Sequence, residues 1–394
     1  MSIKGFTAKL LLGGALMSMA CGAVGAEKEL KIGGIGSLSG GGTAWGVATQ
    51  RGVQLAIDEI MEAGGLQVGD TTYAPKLIMM DDTYSATGGR TAAERLVNAE
   101  DVEFILGPIG SPSVLGALPV TTKANAIMMS NGFAENILRN DAGSPYNFRV
   151  VLSNVEFAPA MVNWLREERE DLKKVALIYP NDATGQAIVP TLTAAYEENG
   201  FEVWAEGYER GSKEFMPLLT RMMAQNVDLL DVNSNAPGEA GLLVRQARRI
   251  GFDGTIWQVG GPSVDEIVEI AGSNAEGFLS YNVIDFDEPN TQKFVEAYKK
   301  KYGDGVINAY APTFYNAAKI LFKSMEVAGS LDVDDVRDTM LNELSDFDPG
   351  IYGPVVWGGE DYYGVNHQLL TRFWISEVKD GKITTRAVVD PEDH

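Results

Sequence analysis

The sequence has very little cysteine and histidine, with one Cys and two His among 394 residues. The single cysteine, Cys21, lies near the N terminus, so the rest of the chain has no thiol for a disulfide bond, a nucleophile or a zinc site. The histidines, His367 and His394, are too few for a usual zinc site. No Gly-x-Ser-x-Gly motif supplies a serine for a hydrolase triad, and we expect His367 to lie on the surface. These shortages disfavour metalloenzymes and hydrolases, and we expect neither a metal nor a cofactor.

Basic residues are scarce relative to acidic ones, since 32 Lys and Arg against 54 Asp and Glu give a formal net charge of −22. Nucleic acids and anionic membranes require basic patches, so both are poor partners for this chain. After the N-terminal segment, no run approaches the roughly 18 uncharged apolar residues of a membrane-spanning helix. The composition is otherwise that of a globular protein, and the length suffices for two domains that each bury a core.

The N-terminal segment has the parts of a secretory signal peptide. Lysines precede an apolar stretch, residues 10–20, that is too short to cross a bilayer, and small residues follow up to Ala26. We therefore predict that residues 1–26 are removed and that the protein is exported to the periplasm. The alternative is a lipoprotein anchored through Cys21, although Ser18 stands where a lipobox normally has Leu.

Short apolar runs rich in β-branched residues alternate with amphipathic segments through most of the chain. Within residues 47–61, for example, Val53 and Ile60 fall near one helical face, with charged residues outside it. Such alternation predicts parallel sheets with helices on both faces. The predicted strands span residues 30–35, 76–80, 102–106, 126–129, 174–179, 201–205, 229–232, 255–259, 277–281, 368–377 and 383–389.

The alternation is interrupted at three places, which predicts three crossings of the chain between two α/β lobes. The predicted crossings lie near residues 147–152, 275–286 and 344–354, the last of which is rich in Asp, Pro and Gly. Each lobe is then assembled from separated pieces of chain around a doubly wound parallel sheet. We predict a first lobe of residues 27–148 and 282–346 and a second lobe of residues 149–281 and 347–394.

Two motifs that suggest catalysis or cofactor binding are better explained by structure. The first strand runs into the glycine-rich segment 33–42, but Ser39 stands where a dinucleotide-binding loop needs its third glycine, and the next helix starts late, near Thr43. We predict a flexible strand-to-helix loop there. Asp81 and Asp82 at a strand end could form a carboxylate pair for metal or acid–base chemistry. Aspartates at such positions more often form turns and caps, and we adopt that interpretation.

The segment around Ser111 carries a stronger indication of a binding site. An apolar strand ends in a turn that contains Gly107 and Gly110, and Ser111 and Pro112 then fit the N-cap and the first residue of a helix. The free N–H groups and the positive dipole end of a helix start attract carboxylates and other anions. The sequence alone leaves two interpretations open, an anion site and a plain helix cap.

Several segments also match a known family in their order and spacing. They are Gly36-Ser37-Leu38-Ser39-Gly40 with Trp45-Gly46, Arg51-Gly52-Val53-Gln54-Leu55-Ala56, Asp81-Asp82, Ile105-Leu106-Gly107-Pro108 with Ser111, Tyr146-Asn147-Phe148-Arg149, Val175-Ala176-Leu177-Ile178-Tyr179, Val244-Arg245-Gln246-Ala247-Arg248, Ala275-Glu276-Gly277, and Phe294-Val295-Glu296-Ala297-Tyr298 with Lys301-Tyr302-Gly303. Together they resemble the type I solute-binding proteins of ABC importers, in the leucine/isoleucine/valine-binding branch. The resemblance extends over about residues 31–389.

The resemblance implies two lobes joined by three hinge strands, in agreement with the crossings predicted above. It implies an exported binding protein rather than an enzyme, which closes on a small-molecule ligand in its cleft and delivers it to an inner-membrane permease. We expect such a receptor to be a monomer. A ligand-sensing module of a signalling system is the alternative use of the same fold.

The resemblance also implies a set of ligand contacts. Ser111 would bind a carboxylate through its hydroxyl and the adjacent helix start, with backbone groups of Gly132 and Ala134. Phe133 would face the cleft, and Trp45 would cover the ligand from the first lobe. Other cleft-lining segments would contribute Thr184 (where amino-acid binders usually have Tyr), Asn235, Ser263 and Tyr310. Core packing is the alternative role for Trp45 and Tyr310.

The class of ligand follows from one position at which the sequence differs from the amino-acid binders of the family. Ser263 falls where those proteins typically have the acid that pairs with the α-ammonium of the ligand. A buried ammonium without such a partner is strongly unfavourable. Asp265 and Glu266 lie nearby, but they open a helix and are interpreted as capping residues. We therefore predict a small carboxylate with an apolar or aromatic body. A branched-chain amino acid, an amide or urea is the alternative.

Overall fold

The protein is described by a computed structural model that covers residue 1, residues 28–139 and residues 145–390. The signal peptide predicted for residues 1–26, the alternative anchor at Cys21 and the residue His394 lie outside the described residues, apart from Met1. Within the described part of the chain, no helix is long and apolar enough to span a membrane.

The first sheet forms the centre of one α/β lobe, and its middle strands are parallel. Each of the six residues of its central strand β4 is buried, as expected where helices cover both faces. Antiparallel pairs close the two edges. The strands, numbered in chain order and given in their order across the sheet, are β12 (Trp357–Gly358), β13 (Gln368–Leu369), β6 (Asn147–Arg149), β5 (Ile127–Asn131), β4 (Phe104–Ile109), β1 (Lys28–Gly36), β3 (Thr71–Asp81) and β2 (Leu66–Val68).

The second sheet forms the centre of the other lobe and has the same parallel middle. Its last two strands along the chain run antiparallel at one edge. In order across the sheet, the strands are β15 (Lys382–Val389), β14 (Phe373–Lys379), β11 (Leu279–Asn282), β10 (Thr255–Gln258), β9 (Leu229–Asp231), β7 (Lys174–Pro180) and β8 (Glu202–Tyr208). The two parallel sheets confirm the predicted α/β fold class.

Helices cover the sheets. Gly52 shows how closely two of them approach in the first lobe, because a Cβ atom there would lie 2.1 Å from the carbonyl oxygen of Ala311. The first lobe has α1 (Thr43–Glu62), α2 (Ala86–Asn98), α3 (Ser111–Lys123), α9 (Pro289–Tyr302), α10 (Tyr310–Ala328), α11 (Val333–Asn342) and the short α12 (Glu360–Tyr363). The second lobe has α4 (Asn154–Glu168), α5 (Ala183–Glu198), α6 (Met216–Met223), α7 (Pro237–Arg249) and α8 (Val264–Ala271). Helix α1 begins at Thr43, as the late start predicted.

The chain passes between the two sheets at residues 150–153, 283–288 and 370–372. The first two crossings fall within or next to the predicted positions, but the third crossing, predicted at residues 344–354, is wrong. The strands β12 and β13 still pair within the first sheet, so residues 357–369 belong there rather than to the second lobe. The segment rich in Asp, Pro and Gly is a loop of the first lobe, in which Ile351 and Tyr352 are buried. Strands of two residues are too short to show an alternating pattern in the sequence. The lobe boundaries at the other positions stay predictions.

Candidate functional site

The start of α3 is the centre of the candidate site. The N-cap residue is Gly110, with a φ of 98°, and Ser111 is the first helical residue, so the predicted N-cap at Ser111 is wrong by one position. A side chain is excluded at the cap, because a Cβ atom on Gly110 would lie 2.5 Å from the ring of Tyr84. The Ser111 hydroxyl makes no capping bond to its own helix, and the plain-cap interpretation of this side chain is therefore wrong.

Ser111 instead joins segments that are distant in the sequence. Its Oγ accepts hydrogen bonds from the backbone N–H of Phe133 at 2.9 Å and of Ala134 at 3.0 Å. Its own N–H donates to Oγ1 of Thr184 at 3.2 Å, across the cleft between the lobes. Gly132 allows the loop after β5 to approach the helix start, because a Cβ atom there would lie 3.1 Å from Cα of Ser111. The structure thus brings five of the predicted residues together.

A small cavity lies beside this helix start. Most of its lining follows the carboxyl ends of strands from both sheets, which is where ligands bind in open α/β sheets. The lining includes the predicted residues Trp45, Gly132, Phe133, Thr184 and Tyr310, together with Tyr84, Ile109, Gly110, Asn131, Ser234 and Gly261. Neither Asp nor Glu occurs among these described lining residues.

Aromatic rings form much of the cavity wall. Trp45 lies 5.6 Å from the ring of Tyr84 and 6.1 Å, edge to face, from the ring of Tyr310. The Tyr310 hydroxyl accepts a hydrogen bond of 2.9 Å from Nδ2 of Asn131. Burial raises the pKa of Tyr84 to about 12 and raises that of Tyr310 further, so both phenols are neutral at physiological pH. The wall suits an apolar or aromatic ligand body with a few polar contacts.

The aspartates before Tyr84 shape the turn after β3, as their structural interpretation predicted. Asp82 is buried and accepts hydrogen bonds from Oγ of Ser37 at 2.6 Å and from the N–H of Tyr84 at 2.8 Å. Asp81 accepts from the N–H of Leu38 at 2.9 Å. These bonds hold the turn and direct Tyr84 toward the cavity. Sequence reasoning missed Tyr84, since its role depends on the tertiary approach to Gly110.

A charged cluster in the second lobe contacts the same tyrosine. The Arg210 guanidinium lies 4.6 Å from the centroid of the Tyr84 ring and is paired with Asp182 and, at 3.2 Å, with Glu239. The side chains of Arg210 and Glu239 are only 13% and 6% exposed. Asp182 also caps α5, accepting from the N–H of Thr184 at 2.9 Å. Arg210 follows β8 and gave no sequence signal, because its partners come from three other segments.

Four of the predicted contacts are absent from the cavity lining. Ser111 and Ala134 adjoin it as the chain neighbours of Gly110 and Phe133, whereas Asn235 and Ser263 are engaged within the second lobe. The Asn235 amide donates to the carbonyl of Ile178 at 3.1 Å and accepts from the hydroxyl of Tyr208, so it is satisfied within the second lobe. The Ser263 hydroxyl donates to the carbonyl of Gly261 at 3.0 Å, immediately before α8. Their predicted role in ligand binding stays a prediction, but in this conformation each side chain is engaged elsewhere.

The acids that follow Ser263 are also outside the cavity lining. Glu266 accepts a hydrogen bond of 2.5 Å from Nδ2 of Asn308, which lies just before α10 in the first lobe. Its other carboxylate oxygen, Oε2, is buried without a hydrogen-bond partner among the described residues. Burial raises the pKa of Glu266 to about 7 and that of Asp265 to about 6. Glu266 therefore contacts the opposite lobe rather than acting only as a cap.

His367 is buried, and the expectation of a surface position is wrong. It is 7% exposed, its ring stacks on Phe148 with centroids 4.5 Å apart, and its Nδ1 lies 3.1 Å from the carbonyl oxygen of Asn147. Burial lowers its pKa, which favours the neutral ring. The side chain is part of the sheet packing around β6 and β13. Within the described residues, no group of three or more His, Cys, Asp or Glu side chains is arranged to hold a metal ion.

Known proteins are similar to this chain in sequence and in fold. A curated relative, the leucine-, isoleucine-, valine-, threonine- and alanine-binding protein of Pseudomonas aeruginosa, is 26% identical over 85% of this chain and 86% of its own length. Among solved structures, the leucine-binding protein LivK of Thermotoga maritima has a TM-score of 0.81 at 24% identity and covers 93% of this chain and 100% of its own.

Two further solved structures contain ligands. The substrate-binding protein LivJ of Streptococcus pneumoniae, in complex with isoleucine, has a TM-score of 0.80 at 23% identity, with 92% and 99% coverage of the two chains. An ABC transporter solute-binding protein of R. palustris, in complex with benzoate, has a TM-score of 0.78 at 19% identity, with 91% and 96% coverage. The similar proteins described above are all named as binding proteins, and none of them is named as an enzyme. The model of the periplasmic binding protein family matches residues 29–382, and the chain belongs to that family.

Proposed function

We propose that this chain is an exported, monomeric receptor of an ABC importer, which captures a small carboxylate with an apolar or aromatic body and delivers it to an inner-membrane permease. Relatives of this kind bind small molecules and act with membrane permeases. The ligands bound in the two similar structures are isoleucine and benzoate, so the family alone leaves open the choice between an amino acid and a simple carboxylate. The local chemistry of the cavity favours the carboxylate.

The observation that carries the proposal is the polarity of the cavity. At one side, the N–H of Ser111 at the start of α3 points across the cleft at an oxygen atom of Thr184. A carboxylate that replaces this hydroxyl gains the N–H and the positive end of the helix dipole. The Ser111 hydroxyl accepts two backbone N–H groups and keeps its own hydrogen, which is free to be donated to the ligand.

No carboxylate in the lining is present to pair with an ammonium. Asp182 and Glu239 contact the cavity wall, through Thr184 and Arg210 respectively, and internal donors already occupy both of them. Asp182 receives two backbone N–H groups and Arg210. Glu239 receives Tyr208, Arg210 and backbone N–H groups. An α-amino acid placed here would bury its ammonium without an anionic partner, which strongly weakens binding.

Capture requires the lobes to move. The lobes are in contact at the cavity in this conformation, through the hydrogen bond from the N–H of Ser111 in one lobe to Thr184 in the other. The chain crosses between the sheets at residues 150–153, 283–288 and 370–372, and rotation at these short connections would open the cleft. We therefore infer that the ligand enters an open form and is enclosed when the lobes close.

A branched-chain amino acid is the second candidate, and Glu266 is the observation that favours it. Its unpartnered oxygen lies at a contact between the lobes, so a modest rotation of α8 would offer a carboxylate to an ammonium. In the present arrangement Glu266 is bonded to Asn308 and is absent from the cavity lining, which ranks this candidate second.

Calorimetric titration of the mature protein with matched pairs distinguishes the two candidates. The pairs are leucine with 4-methylpentanoate and phenylalanine with 3-phenylpropanoate, which differ by the α-ammonium. We expect the carboxylate to bind more tightly in at least one pair. Tighter binding of the amino acid in both pairs would contradict the proposal, and loss of that binding in Glu266→Gln would then identify the acid responsible.

A further inference from the structure

Tyr84 is held in one position by its own lobe. Its backbone has a φ of 54°, in the left-handed region, and its N–H donates to Oδ1 of Asp82 at 2.8 Å. One side of the ring covers Gly110, where a Cβ atom would collide with the phenol. Trp45 packs against the ring at 5.6 Å. The phenol is therefore directed at the cavity by contacts that do not depend on a ligand.

The hydroxyl of Tyr84 lies next to the expected position of the ligand's carboxylate. Its oxygen is 3.3 Å from Oγ1 of Thr184, and that same Oγ1 accepts the N–H of Ser111. An oxygen atom bound to the Ser111 N–H is thus within hydrogen-bond distance of the phenol. We propose that Tyr84 is a ligand-binding residue, donating its phenolic hydrogen to the carboxylate held at the start of α3. This inference rests on the proposed carboxylate ligand.

The protonation of the phenol is suited to this role. Burial raises the pKa of Tyr84 to about 12, although the nearby Arg210 acts in the opposite direction. The phenol is therefore a donor at any pH at which the protein operates, and a hydrogen bond to a charged acceptor is stronger than one between neutral groups. An ionised phenol would repel the carboxylate.

Arg210 acts as a positioning residue for Tyr84. Its guanidinium lies 4.6 Å from the ring centroid and is fixed by Asp182 and Glu239 in the second lobe. Since Tyr84 belongs to the first lobe, this contact forms only when the lobes are closed. Closure therefore clamps the phenol between Gly110 and Arg210 at the moment when the carboxylate is enclosed.

The test compares Tyr84→Phe with the wild-type protein and with Tyr315→Phe, a matched control whose hydroxyl bonds to Glu59 on the outer surface of the first lobe. Calorimetric titration uses 3-phenylpropanoate, 4-methylpentanoate and benzoate. Loss of one donor to a charged group predicts that Tyr84→Phe weakens carboxylate binding about tenfold to a hundredfold. Tyr315→Phe should bind like the wild type. Melting curves of the three proteins report whether each variant is folded.

The outcomes separate this inference from the proposed function. Unchanged carboxylate affinity in a folded Tyr84→Phe variant overturns the inference and leaves the proposed function standing. A wild-type protein that binds leucine or phenylalanine but none of the three acids overturns both.

The positioning role of Arg210 is tested in two backgrounds. We expect Arg210→Lys to weaken carboxylate binding in the wild-type background and to have little further effect in Tyr84→Phe, where no hydroxyl remains to be positioned. Equal losses in the two backgrounds would overturn the positioning role.

Discussion

The two walls of the cleft hold their polar groups in different ways. In the first lobe, the helix start at Ser111 and the loop at Phe133 and Ala134 bond to each other, through neutral backbone and hydroxyl groups. In the second lobe, the corresponding wall is backed by a largely buried ion cluster of Arg210 with Asp182 and Glu239. The first wall offers donors to a ligand, while the charges of the second wall are already paired with one another.

This difference suggests a division of roles between the lobes. A site built from neutral hydrogen-bond donors can release them to a ligand carboxylate at little cost to the fold. A buried ion cluster is costly to disturb, because removing one charge leaves the others unpaired in a medium of low dielectric. We therefore expect changes in the first wall to act mainly on affinity and changes in the second wall to act mainly on stability.

The largest effect on stability is expected from Arg210→Met. Removal of the guanidinium leaves the buried carboxylate of Glu239 and the partly buried carboxylate of Asp182 without their cation, which predicts a loss of about 3 kcal/mol in the free energy of unfolding. Urea unfolding measures this loss. Arg166→Met is the matched control in the same lobe, because Arg166 packs on Phe201 and donates to backbone carbonyls rather than to acids. Equal losses in the two variants would contradict the special role of the ion cluster.

A smaller effect on the free energy of unfolding is expected from the ionisation of Asp231, a buried residue in the core of the second lobe. Burial raises the pKa of Asp231 to about 8, and Tyr196 donates to its Oδ2 at 2.9 Å. The folded state thus keeps a proton that the unfolded chain loses near pH 4. The contribution of the protonated Asp231 to the free energy of unfolding is fully present below about pH 4. It is lost as the pH rises toward 8, at up to about 1.4 kcal/mol per pH unit.

The variant Asp231→Asn isolates this contribution. Asparagine has the same shape and cannot ionise, so its free energy of unfolding should fall about 2 kcal/mol less than that of the wild type between pH 5.5 and 7.5. Urea titrations at both pH values measure the slopes. Identical slopes for the two proteins would show that Asp231 is not protonated in the folded state.

The sequence was a good guide wherever local patterns determine the structure. The buried parallel strand β7 lies at the predicted residues 174–179, and α1 begins at Thr43, where its start was predicted. Where the pattern is weak, prediction failed. The two-residue strand β12 was missed, and β13 was merged with β14 into one predicted strand of residues 368–377. The third crossing, between β13 and β14, was missed as a result, because β13 is assigned to the first sheet by its pairing with β6 and with β12.

The candidate site shows the same limit. The resemblance predicted Trp45, Thr184 and Tyr310, which the structure brings to one cavity, although their contact with a ligand stays a prediction. Tyr84 and Arg210 gave no signal, since their proximity arises from the packing of the lobes against each other. Residues whose role depends on tertiary contacts between distant segments cannot be found from periodicity or spacing.

The smallest effect on stability and a large effect on affinity are expected from Ser111→Ala in the first wall. The variant removes the acceptor of the Phe133 and Ala134 N–H groups, at a cost of about 1–2 kcal/mol in the free energy of unfolding. It also removes a donor to the ligand's charged group, which predicts about tenfold to a hundredfold weaker carboxylate binding.

The matched control for this variant is Ser113→Ala, on the same helix and equally buried, because the Ser113 hydroxyl does not bond to the loop after β5 as the Ser111 hydroxyl does. Calorimetric titration with 3-phenylpropanoate and urea unfolding, applied to both variants, separate affinity from stability. If the first wall recognises the ligand and the second supports the fold, Ser111→Ala loses far more affinity than Ser113→Ala and far less stability than Arg210→Met. Equal affinities of the two serine variants would refute the division of roles, because the Ser111 hydroxyl would then serve only to hold the loop after β5.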